Sequence, residues 1–240
     1  MVWIYRRKVE NWVIEKMPMC FSINLNIEKS ALEKSYHAKF SASYGYTPFY
    51  FASAFENPMV PVIANRDSSL IVPMVWGLIP HWVTTPEQAN LIRSKTYNAR
   101  IETIHEKPSF RYAARSNRCI IPVTGFFEWQ EVNGKKVSWL IKPRADATFS
   151  IAGLWNSWTN VETGELIDTF TIITQPANEL MSQIHNTKKR MPAIVDKDLV
   201  KSWLDAKLPT LEYDAILRPL DSELMDAHVV PSPLRRPKSQ

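Results

Sequence analysis

A carboxylate, an amide, an imidazole and a thiol stand where each could do chemistry, at Glu128, Asn98, His185 and Cys20. Glu128 lies near the end of the run Arg118-Cys119-Ile120-Ile121-Pro122-Val123-Thr124-Gly125-Phe126-Phe127-Glu128-Trp129. Side chains alternate along an extended chain, so Glu128 shares a face with Phe126 while Phe127 and Trp129 take the other. A carboxylate among aromatic rings loses hydration; its pKa rises, and it becomes suited to moving a proton near neutral pH. Asn98-Ala99-Arg100-Ile101-Glu102-Thr103, read as extended, turns Asn98, Arg100 and Glu102 to one face and Ala99 and Ile101 to the other. Two half-buried strands with solvated or paired polar groups would carry the same pattern, so spacing alone leaves both readings open. His185 reads equally as an acid/base group of near-neutral pKa and as a cation at a helix C-terminus. Cys20 by itself reads as a small hydrophobe, and Cys119, inside an apolar strand, as core.

These residues need elements to hold them. The spacing of Leu32, Tyr36 and Phe40 predicts a helix of three turns starting from a cap at Asn26, followed by an aromatic-rich loop over 41–58. Strands are expected over 59–64 and 70–76, with Asn65-Arg66-Asp67-Ser68 as the turn. Trp76-Gly77-Leu78-Ile79-Pro80-His81-Trp82 then ends a strand in a rigid aromatic loop; such tryptophans either pack or stack on unpaired bases. Thr85-Pro86-Glu87-Gln88 carries the cap, first-turn proline and third-position glutamine of a helix start. A second short helix is expected over 108–114. Asn133-Gly134 is a hairpin signal that pairs 126–132 with 135–141 and sets Trp139 opposite Glu128. Strands over 149–154 and 166–174 follow, and Pro176 opens a helix whose stripe of Ala177, Leu180, Met181 and Ile184 delivers His185. A short strand over 191–195, a helix capped by Asp196 and another at Thr210 complete the order. Helices scattered among hairpin-linked strands indicate an α+β fold with a mostly antiparallel sheet.

The chain has 240 residues, 45% of them hydrophobic, enough for one sizeable core. Its net charge is +5, but residues 1–19 hold Arg6, Arg7, Lys8 and Lys16 against Glu10 and Glu15, leaving the rest only +3. That balance permits nucleic-acid binding through a local patch without demanding it. Two distant cysteines and no clustered histidines argue against a disulfide framework and structural zinc, and fit a reducing cytoplasm. No apolar run approaches the ~20 residues that span a bilayer, and the four apolar residues 2–5 are too few for a signal peptide. The chain divides into an extension over 1–19, one domain over 20–233 and a basic tail over 234–240 with Arg235, Arg236 and Lys238.

The Asn98 and Arg118–Trp129 blocks, together with Trp76-Gly77-Leu78-Ile79-Pro80-His81-Trp82, Ile184-His185, Arg190-Met191-Pro192 and Met19-Cys20, resemble the SOS response-associated peptidase family, the abasic-site DNA-protein cross-linking proteins. The resemblance implies a single domain with a curved or barrel-like sheet flanked by short helices, crossed by a groove. It implies that Cys20 becomes the terminal residue and that its free α-amine and thiol close a thiazolidine ring on the aldehyde of an opened abasic sugar. An α-amine of pKa about 7.7–8.0 is partly neutral at physiological pH and can attack such an aldehyde. Asn98 would orient that terminus or the sugar, Glu128 would shuttle protons, and His185 would be a second acid/base. Arg100 and Arg190 would hold phosphates, and Trp76 and Trp82 would shape the pocket beside the lesion. The implied partner is single-stranded DNA containing abasic sites, bound by a monomer in the cytoplasm, with no membrane, metal or organic cofactor required.

Nineteen residues precede Cys20, and while they remain attached its nitrogen is an amide that cannot form a Schiff base. A start at Met19, removal of the segment, or a protein that does not cross-link would each account for them; the start at Met19 is the favoured reading. The end of the chain, His228-Val229-Val230-Pro231-Ser232-Pro233, matches the family's closing strand only loosely. Two alternatives stand beside cross-linking: a cysteine peptidase using Cys20, His185 and Asn98, including self-cleavage at Met19-Cys20, and a non-catalytic single-strand-binding module.

Overall fold

The computed structural model describes residues 22–42 and 44–234. The expectations placed on Met19, Cys20, the 1–19 extension and the tail beyond Leu234 lie outside the described residues.

The chain opens with β1 (Ser22–Leu25), α1 (Lys29–Tyr36), the two-residue β2 (Lys39–Phe40) and β3 (Phe49–Ser53). α1 is shorter than its apolar spacing predicts. It is preceded by Glu28 rather than capped by Asn26, and His37 ends it in the left-handed conformation, so Phe40 passes into β2. β3 is a correction to the expected loop: its pairing with β1 makes a strand of a segment with no clear period of its own. β4 (Met59–Ala64) and β5 (Asp67–Trp76) form the expected hairpin. In α2 (Pro86–Arg93) the Thr85 hydroxyl accepts from the Gln88 backbone N–H at 3.3 Å, the cap the sequence signals.

β6 (Asn98–Arg100) stops early, and a 3₁₀ turn over Ile101–Thr103 takes Glu102 off the face it was expected to share with Asn98 and Arg100. α3 (Ala113–Ser116) starts later than predicted. β7 (Arg118–Val123) leads into the hairpin of β8 (Gly125–Val132) and β9 (Lys135–Pro143). Its turn residues Asn133 and Gly134 both have positive φ, 50° and 71°, which suits this residue pair. β10 (Phe149–Thr159) and β11 (Leu166–Pro176) outrun their predicted lengths. Pro176 therefore ends a strand, and Asn178 caps α4 (Glu179–Ile184) by accepting from the Met181 N–H at 2.8 Å. β12 (Arg190–Pro192), β13 (Ile194–Val195), α5 (Val200–Trp203), α6 (Tyr213–Ile216) and β14 (Met225–Val229) finish the described chain.

One sheet has the order β14-β9-β8-β1-β3, every neighbour antiparallel. The other runs β12-β11-β10-β7-β4-β5-β2, and a parallel pairing of β5 with β11 closes five of its strands into a ring. The fold is thus α+β, with a mostly antiparallel, barrel-like sheet and short flanking helices. Ile23, Phe126 and Ile141 of the first sheet meet Val62, Ile121, Phe170 and Ile172 of the second in one core. Each such buried side chain contributes about 1.5–3 kcal/mol of transfer free energy. β8 belongs to the first sheet and β6, β11 and β12 to the second, so the core holds the two halves of the site in register.

Candidate active site

The β8–β9 hairpin sets Glu128 opposite Trp139, as its turn residues predict, and Glu128 is buried. Gln130, two residues on, accepts from the Trp139 indole N–H at 3.2 Å and donates to the Gln183 carbonyl at 3.0 Å, tying this part of β8 to α4. His185 sits at the C-cap of α4, where its backbone N–H still bonds the Met181 carbonyl at 2.7 Å. Its ring is buried, with Nδ1 4.0 Å from Glu128 Oε2. Nδ1 also lies 2.9 Å from the Arg190 backbone oxygen. A carbonyl oxygen only accepts, so Nδ1 carries a proton, which leaves Nε2 as the position of the lone pair in the neutral form of the ring. α4 places the ring, and the ring lies beside a buried carboxylate.

Asn98 is buried on β6, in parallel register with Ile172 of β11, and Arg100 is exposed opposite Thr174. Arg190 begins β12 on the same strand partner, opposite Pro176. The structure uses Arg190 differently from the phosphate contact expected of it. Its side chain is only 9% exposed and its guanidinium grips Glu102 in a two-pronged ion pair, the Nη2 to Oε2 distance being 3.0 Å. Nη2 also donates to the Thr174 carbonyl at 2.7 Å. Burial works to raise the Glu102 pKa, but the Arg190 hydrogen bonds and the charges of Arg190 and Arg100 outweigh it and hold the carboxyl below its ordinary value.

Trp76 is corrected too. It is 0% exposed, stacks on Phe170 at 5.7 Å and donates from its indole to the Tyr97 carbonyl, so it is core and not a wall of a binding pocket. Trp82 remains 46% exposed, its indole N–H bonded to the Pro108 carbonyl at 3.3 Å. Beside it in sequence, exposed His81 lies against exposed Tyr112 with ring centroids 4.2 Å apart, an aromatic ledge that no sequence spacing announces. Glu102 was visible within the Asn98 block, but its link to Arg190 depends on the 3₁₀ turn. Cys119 is buried, and burial pushes its thiol well above the ordinary value, as fits core. Among the described residues no group of three or more His, Cys, Asp or Glu side chains could hold a metal ion.

Residues 19–237 match the family model described as SOS response associated peptidase (SRAP). The abasic site processing protein YoqW of Bacillus subtilis (strain 168) is 37% identical over 196 residues, covering 81% of this chain and 84% of that protein. The abasic site processing protein HMCES of Xenopus tropicalis is 31% identical over 179 residues, covering 66% of this chain and 52% of that longer protein. A crystal structure of a Bacteroides thetaiotaomicron protein superposes with a TM-score of 0.84 at 37% identity, over 89% of this chain and 93% of that one. A Bordetella bronchiseptica protein does so with a TM-score of 0.77 at 27% identity, over 88% of this chain and all of that one. With the match running through both sheets and every block of the site, this chain belongs to the SRAP family.

Proposed function

We propose that this protein processes abasic sites in DNA by capturing the aldehyde of the opened sugar on Cys20. Relatives named abasic site processing proteins support the substrate class. The observation that carries the chemistry is the buried Glu128–His185 pair, 4.0 Å apart, because carbonyl addition and dehydration both need protons moved on and off one oxygen. The neutral α-amine of Cys20 adds to the aldehyde carbon, and the resulting carbinolamine loses water to give a Schiff base. The Cys20 thiol then adds to the imine carbon while its proton passes to nitrogen, closing a five-membered thiazolidine; both nucleophiles sit on one residue, which favours closure. Glu128 serves the addition and dehydration, and His185, with its lone pair on Nε2, relays protons beside it. Exposed Arg100 and Trp82 suit a phosphate and an unpaired base of single-stranded DNA.

The reaction requires a free amine, so the reacting species begins at Cys20. Single-stranded DNA with one abasic site is incubated with protein beginning at Cys20 and with the 240-residue chain, then run on a denaturing gel. A covalent band is expected only with the first, lost in Cys20→Ala and after acetylation of the amine. Glu128→Gln is expected to slow its appearance about 10²–10⁴-fold with DNA affinity kept. No band with either protein removes cross-linking; thiol-dependent peptide cleavage that survives acetylation would favour the peptidase reading.

A further inference from the structure

We propose that Glu102 is a positioning residue for His185, acting through Arg190. The inference rests on the acid/base reading of His185, but its first test does not require DNA. Three contacts in series make the connection. Glu102 holds the Arg190 guanidinium with both carboxylate oxygens, Arg190 Nη2 ties that guanidinium to the Thr174 carbonyl, and the Arg190 backbone oxygen receives the His185 Nδ1 proton at 2.9 Å. The guanidinium thus fixes the place of the very residue whose carbonyl selects the imidazole tautomer.

The segment between the two partners explains why such a clamp is needed. Residues 186–189 turn the chain from α4 into β12, and Lys189 adopts a left-handed φ of 49° immediately before Arg190. A lysine in that region is disfavoured, so the turn by itself would relax elsewhere. Lys189 N–H bonds the His185 carbonyl at 2.8 Å and its carbonyl accepts from Ala177 N–H at 3.0 Å, but β12 is only three residues long. The side-chain clamp onto Glu102 fastens the strand's first residue, and with it the oxygen that His185 needs. Glu102 comes from the turn after β6, so the same contact links the end of β6 to β12 across β11, with which both strands pair. The side chain of Glu102 is 45% exposed, and a carboxylate needed only for solubility would have no reason to face a buried guanidinium with both oxygens.

The test begins with ¹⁵N-labelled full chain and long-range correlation of the five histidine rings, His185 being assigned by its loss in His185→Gln. Wild-type protein is expected to show the Nδ1-protonated neutral tautomer at His185. Glu102→Gln and Arg190→Lys, both close in volume to the native residue, should each move His185 toward a mixture of tautomers; Glu102→Asp should restore part of the native pattern. With abasic DNA and protein beginning at Cys20, Glu102→Gln should lower the cross-linking rate at saturating DNA about 10- to 100-fold while leaving DNA affinity within a factor of two, as misplacement of a reacting group would. The loss should vanish in a His185→Ala background. Unchanged His185 nitrogen shifts in folded Glu102→Gln overturn the proposal, as does a loss that simply adds to that of His185→Ala. Should wild-type protein beginning at Cys20 form no cross-link, the proposed reaction fails, and the ring spectra alone decide the positioning role.

Discussion

Glu128 and Trp82 show how far single residues can be read. Glu128 was legible because Asn133-Gly134 fixes the hairpin register, and register fixes the face. The two tryptophans of the 76–82 block were not distinguishable, since rings that pack and rings that stack on bases look alike in sequence; β5 turns one inward and the loop after it leaves the other in solvent. Trp82→Ala is expected to weaken single-stranded DNA binding by about 1–3 kcal/mol, read by fluorescence anisotropy, with little change in melting temperature. Trp76→Ala should do the reverse, costing about 3–5 kcal/mol of folding stability in chemical denaturation. Glu102 adds a pH dependence of known sign. Its native pKa lies below the ordinary glutamate value of 4.5, so its contribution to stability is complete above that pH and is lost as pH falls through the native value. The gap in melting temperature between wild type and Glu102→Gln should accordingly be widest near neutrality and close on acidification.

At the scale of elements, caps and turns translated well and lengths did not. Thr85 and the Asn133-Gly134 turn act locally, and local chemistry is written in the sequence. β3, the early end of β6 and the extra residues of β10 and β11 are set by strand partners far along the chain, which spacing cannot show. β10 also carries a close approach that only the assembled sheet reveals. A Cβ on Gly153 would lie 2.6 Å from Ile121 Cδ1, 2.7 Å from the Thr171 carbonyl oxygen and 3.0 Å from the Cys119 sulfur. The oxygen belongs to the neighbouring strand and cannot yield without opening the β10–β11 pairing. Gly153→Ala should therefore destabilise the fold by about 1–3 kcal/mol, measured by denaturant titration, despite being the smallest possible addition.

Across the whole molecule, Arg118 joins the ring of strands to the C-terminal helices. It is buried, and its guanidinium donates to the Trp203 carbonyl at 2.9 Å, to the Tyr213 hydroxyl at 2.6 Å and to the Asp205 carbonyl. Arg118→Ala should cost about 3–5 kcal/mol and leave residues 203–216 the first to lose amide protection in hydrogen exchange. The sequence signals the class of fold through its alternation and hairpins, whereas the closing of the ring by β5 and β11 has no local signature. That closure also governs when the site comes into being. Glu102 and Arg190 are separated by 88 residues, and the ring cannot shut until β11 has been made. On the ribosome, β6 and Glu128 emerge long before the imidazole and its carbonyl anchor. A chain still in translation holds Glu128 before His185 exists, so the proposed capture of aldehydes waits until β12 has been made.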